Sequence, residues 1–144
     1  MAMRTVIALV VTVACSWIAP AQEPDGIQSV ITKLNQARKD SEAVAFSQLF
    51  ARDGTLRVGN EVVASGQKAI ENAMEKRLVW SEVTAPVISK ATVRLLSPDV
   101  ALVDATQTQY GSLIVKQSVP VTLLMKLDGN EWRIVSLWLS PALR

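Results

Sequence analysis

Ile27, Val30, Ile31 and Leu34 fall at the i, i+3, i+4, i+7 spacing that places four apolar side chains on one face of a helix. Asp25 and Gln28 stand three positions apart ahead of that stripe, as in a capping box with Asp in place of Ser or Thr. The stripe breaks at Arg38-Lys39-Asp40-Ser41-Glu42, which reads as a solvated bend, and resumes with Ala43, Phe46, Leu49 and Phe50 in a second helix. Asp53-Gly54 reads as the close of that helix. Leu56 and Val58 then predict a short strand, Gly59-Asn60 a turn, and residues 61–64 a pairing strand. Ser65 is placed to cap a third helix in which Ile70, Met74 and Leu78 share a face, with Ala69 and Ala73 beside them. Met74 reads there as core.

From Pro86 the apolar period shortens to that of strands. Runs rich in Val, Ile, Leu and Thr are separated by Ser97-Pro98-Asp99, Tyr110-Gly111-Ser112 and Asp128-Gly129-Asn130, each with hairpin chemistry. Four antiparallel strands in a meander follow. In the third, Leu113, Val115, Val119, Val121, Leu123, Met125 and Leu127 alternate with Lys116, Ser118, Thr122 and Lys126, interrupted by Ile114 and Leu124. One face is therefore buried and the other wetter. Helices first and a curled antiparallel sheet afterwards define an α+β class, with three N-terminal helices packed on the apolar face of the sheet.

The start of the chain has different grammar. Arg4 precedes an almost unbroken apolar run over residues 6–14, which leads to Ala19-Pro20-Ala21. That is the layout of a signal peptide, and the run is too short to span a bilayer as a helix. The expected division is a signal peptide over residues 1–21, a spacer over 22–26 and one domain over 27–141, with no transmembrane span in the mature chain. Export to the periplasm or the exterior follows. Thr12-Val13-Ala14-Cys15 loosely resembles a lipoprotein signal, so lipid anchoring at Cys15 is the alternative. Cleavage after Ala21 leaves no cysteine, and hence no disulfide or thiol chemistry.

Composition narrows the chemistry. Lys and Arg number 15 against 13 Asp and Glu, and no basic run occurs, so nucleic acid is not an expected partner. The chain contains no histidine, which excludes Ser-His-Asp and Cys-His systems, His-ligated metals and His acid–base work. No cofactor and no metal are expected. Asp53, Asp99 and Asp128 sit at predicted turns and read as turn residues. Asp104 lies within a strand, in phase with Thr106 and Thr108, and is the weak catalytic candidate, although a solvated outer face explains it better.

Several segments resemble a known family. Ala45-Phe46-Ser47-Gln48-Leu49-Phe50-Ala51-Arg52-Asp53-Gly54 is similar to the helix end before the first strand of SnoaL-like domains, within the nuclear transport factor 2-like superfamily. Gly66-Gln67-Lys68-Ala69-Ile70 resembles the start of their third helix. Pro98-Asp99-Val100-Ala101-Leu102-Val103 and Gly129-Asn130-Glu131-Trp132-Arg133-Ile134 match their strand entries. The resemblance covers residues 27–140 and implies a cone, a bent sheet around helices, with a pocket at its open end and dimerisation through the outer sheet face. It specifies fold better than function, because the family holds isomerases, dehydratases, hydrolases and carriers. The resemblance also places Val58 where steroid-isomerase-like members carry a general-base aspartate.

Candidate ligand-binding residues are those falling in phase with apolar ones. Gln117 lies in the buried phase of its strand, where an amide must find partners, either on a ligand or, the reading the residues favour, in a neighbouring backbone group across a bulge. Trp132, Ile134, Ser136 and Trp138 are expected to share a face, Trp80 follows the third helix near the implied pocket, and Tyr110 stands at a hairpin tip. The ligand-binding set is thus Trp80, Tyr110, Gln117, Ser136 and Trp138, suited to a small apolar ligand. The leading reading is an exported homodimer that binds a small molecule and lacks a recognisable catalytic set. A cofactor-independent isomerase or hydrolase-like enzyme with a pocket carboxylate, and a dimeric protein-interaction domain, are the alternatives.

Overall fold

A computed structural model describes residues 25–76, 85–110 and 116–140, except for the side chains of Asp25 and Tyr110. Helix α1 (Asp25–Lys39) buries Ile27, Val30, Ile31, Leu34 and Ala37, as its period predicts. Its stripe continues one step further than the apolar residues do. Arg38, four residues after Leu34 and seven after Ile31, is only 1% exposed, so it belongs to the helix and the core rather than to a solvated bend. Lys39 ends the helix exposed, and the exposed bend begins at Asp40.

Helix α2 (Ala43–Gln48) is six residues long and buries Ala43, Phe46 and Ser47. It ends earlier than expected, and Asp53-Gly54 lies inside strand β1 (Phe50–Val58) instead of closing a helix. The reason is non-local: Ile134 N–H donates to Leu49 O at 2.9 Å and draws the chain into the sheet at once. The strand is irregular between Phe50 and Thr55, where Gly54 lies so close to its neighbours that a Cβ would stand 3.0 Å from both Ala51 O and Ile134 O. Strand β2 (Glu61–Ser65) pairs back on β1, and α3 (Gln67–Glu75) buries Ile70, Ala73 and Met74. Gly66, at φ 88°, occupies the cap position expected of Ser65, and its N–H donates to Gly54 O at 2.7 Å. Leu78 lies outside the described residues.

The meander is β3 (Val87–Ser97), β4 (Val100–Tyr110), β5 (Lys116–Asp128) and β6 (Glu131–Leu139). It extends into one six-stranded sheet of order β2-β1-β6-β5-β4-β3, antiparallel except where β1 runs parallel to β6. The sheet is curved and unclosed, with the helices on its inner face, so the α+β expectation holds. Val119, Val121, Leu123 and Met125 face inward from β5 and meet Ala101, Val103 and Ala105 of β4, all buried. Leu113, Ile114 and Val115 lie outside the described residues.

Strand β6 departs from simple alternation. Met125 pairs with Ile134 but Leu124 pairs with Ser136, so Val135 is an extra residue in the ladder. The slip reverses the facing of everything beyond it: Trp132, Ile134, Leu137 and Leu139 face inward, whereas Ser136 and Trp138 face outward. The single face expected for Trp132, Ile134, Ser136 and Trp138 is thus split in two. No described helix is long and apolar enough to cross a membrane.

Candidate functional site

Asn35 and Arg38 lie on the face of α1 turned to the sheet. The Asn35 side chain accepts from Ile88 N–H and donates to Ile88 O, both at 2.9 Å, so it pairs with edge strand β3 as another strand would. This clamp carries the end of α1 to the inner face of β4, where Ile88 pairs with Gln107. Arg38 Nη1 donates there to Gln107 Oε1 at 2.9 Å, and Gln107 Nε2 donates to Gln109 Oε1 at 2.9 Å. The Arg38 guanidinium also stands 5.9 Å from the centroid of the Phe46 ring, which tilts against Phe50 at 5.4 Å.

A buried guanidinium is expensive unless hydrogen-bonded, and its desolvation pulls the Arg38 pKa down to about 10. It remains charged at neutral pH. Gln107 is 2% exposed, whereas Gln109 is half-buried, so the polar chain leads from the interior towards solvent. Gln117 is the cross-strand partner of Gln109 and lies in the same inward phase as Val119. Three amides and a guanidinium therefore line one patch of an otherwise apolar inner face.

Of the sequence candidates whose side chains are described, only Gln117 falls within this patch. Ser136 is buried on the outer side, its hydroxyl 2.7 Å from that of Thr55. Trp138 is also on the outer side, with the Arg57 guanidinium 5.9 Å from its ring centroid. Asp104 is exposed and accepts from Thr122 at 3.3 Å, away from Gln117. Trp80 and the side chain of Tyr110 lie outside the described residues. Periodicity carried the signal for the residues it missed: Arg38 extends the Ile31-Leu34 stripe, and Gln107 and Gln109 continue the inward series from Ala101 through Val103 and Ala105.

Apart from this patch, an open groove of about 1070 Å³ lies between α1, α2 and the β5–β6 hairpin. Its rim mixes Lys33, Arg52 and Arg133 with Glu42, Asp128 and Glu131. Arg133 is already engaged, donating to Gln48 O at 2.7 Å and to Glu131 at 2.9 Å. Such charges are solvated and mutually balanced, so the buried polar chain is the stronger candidate. Among the described residues no Asp or Glu is buried, and no group of three or more His, Cys, Asp or Glu could hold a metal ion.

Comparison with known proteins agrees with this architecture. Residues 27–144 match the SnoaL-like domain. No curated protein matches the chain. A Nostoc punctiforme protein of unknown function with a cystatin-like fold superposes with a TM-score of 0.69 at 14% identity, covering 80% of this chain and 87% of its own. An NTF2-like protein from Novosphingobium aromaticivorans gives 0.65 at 20% identity, with coverages of 81% and 80%. A Xanthomonas campestris protein, for which a calcium/calmodulin-dependent protein kinase II association domain is proposed, gives 0.62 at 27% identity, covering 85% and 91%.

Proposed function

We propose, from the premise that this chain belongs to the SnoaL-like family, that it binds a small, largely apolar molecule on the inner face of its sheet. The carrying observation is the half-buried pair Gln109 and Gln117, which together with buried Gln107 interrupts an inward face of β4 and β5 otherwise built of Val, Ala, Leu and Met. Polar groups that project from an apolar wall are what orient a ligand in a concave site. Trp80 and Tyr110 remain candidates for the same ligand. The N-terminal grammar supports export after cleavage at Ala21, with Cys15 lipidation as the alternative, and the family resemblance supports a homodimer.

Native mass spectrometry of the protein purified from the exported fraction tests the reading. A reproducible added mass on a dimer, lost in a Gln109→Leu/Gln117→Leu variant that still unfolds cooperatively, is the expected result. A bare protein whose melting temperature is unmoved by a library of apolar ligands at high excess would overturn it, because a ligand at 100 times its Kd stabilises by about 2.7 kcal/mol.

A further inference from the structure

The direction of the hydrogen bonds from Arg38 outward carries information about the ligand. A guanidinium only donates, so Gln107 must turn its Oε1 to Arg38 Nη1. Both polar atoms of an amide sit on one carbon, and Gln107 therefore presents Nε2 to its other neighbour. An N–H must meet an oxygen, so Gln109 turns Oε1 inward to receive it. What Gln109 has left to offer is Nε2. Inverting either amide would set N–H against N–H at a residue 2% exposed, where no solvent relieves the mismatch.

Resting on the binding reading above, we propose that the group recognised on the ligand is an oxygen acting purely as acceptor, a ketone or carboxylate, held by the terminal Nε2 of Gln109. Among the described residues nothing accepts from that nitrogen, and Gln117 opposite makes no side-chain hydrogen bond, leaving its amide to turn a second donor to the same oxygen. Each donor in the series polarises the next amide and strengthens its N–H. A protonated amine, which only donates, would meet N–H with N–H.

Binding of four molecules on one skeleton to the full exported protein tests this: naphthalene, 2-acetylnaphthalene, 2-naphthoate and 2-naphthylmethylammonium, followed by calorimetry. The ketone and carboxylate should bind about tenfold or more tighter than naphthalene and the amine, the size of one well-made hydrogen bond. Gln109→Leu should level the series. Gln109→Glu replaces the terminal donor by an acceptor that Gln107 Nε2 still satisfies, and should reverse the order in favour of the amine. Equal affinities across the series, or an order unchanged in Gln109→Glu, would overturn the donor assignment and leave the binding reading standing. Failure of all four to bind, together with a bare exported protein, would remove the binding reading and this inference with it.

Discussion

Replacing Gln107 by Leu isolates what the buried polar chain contributes to the fold. Leucine has nearly the volume of glutamine, so the substitution at a 2% exposed site opens no large cavity. It removes the acceptor of Arg38 Nη1 and the donor to Gln109 Oε1. A hydrogen bond to a charged group contributes about 1.5–3 kcal/mol and a neutral one about 1 kcal/mol, and the loss is partly offset because an amide no longer has to be desolvated. The net expectation is a destabilisation of roughly 2–3 kcal/mol. In urea, with a slope of about 1–3 kcal/mol/M, the midpoint should fall by on the order of 1 M without a change of slope. Gln109→Leu serves as control, since it loses only the neutral bond at a half-buried site and should cost about 1 kcal/mol or less. A Gln107→Leu protein within about 0.5 kcal/mol of the native one would refute the view that the Arg38–Gln107 bond secures the end of α1.

Two further outcomes follow from the same geometry. Burial lowers the Arg38 pKa to about 10, below its unfolded value, so above pH 10 the unfolded chain holds more protons and stability rises with pH; below pH 10 the residue is charged in both states and adds no slope. Since the chain also lacks histidine, calorimetry between pH 6 and 8 should show a melting temperature constant to about 2 °C, and a titration step inside that window would contradict this account. On the outer face, the paired hydroxyls of Thr55 and Ser136 at 2.7 Å should appear in a double-mutant cycle of Thr55→Val and Ser136→Ala. Each single change should cost about 1 kcal/mol with a coupling of about 0.5 kcal/mol or more, and strict additivity would mean the pair contributes nothing.

The legible and the illegible parts of this molecule divide along one physical line. Elements whose order is set by local period were readable: the α1 stripe, the buried face of α3, the four-strand meander and the inward phase of β5 through Gln117. Features set by pairing between distant strands were not. Val135 is as good a β-former as its neighbours, and nothing in its identity says that β6 carries one residue more than β5 can pair; yet that slip turns Ser136 and Trp138 out of the interior. Asp53-Gly54 likewise has the chemistry of a helix end and is overridden because Leu49 O meets a strand more than 80 residues away.

Arg38, Gln107 and Gln109 belong to a third kind. Their phase was in the sequence, but residue type argued against burial, and a charged residue beside Lys39 and Asp40 reads as solvated whatever its phase. What resolves the conflict is reciprocity: a polar residue in an apolar phase is tolerable only if another element brings it a partner in the same layer. Arg38 on α1 and Gln107 on β4, 69 residues apart, satisfy each other, and either one alone would be an error in the pattern. Gln109 and Gln117 differ in that, among the described residues, the Nε2 of the first and the side-chain amide of the second have no hydrogen-bond partner. The same phase argument that places Arg38 in the core places these two amides on the inward face, and under the proposed binding reading a ligand oxygen would complete the layer there.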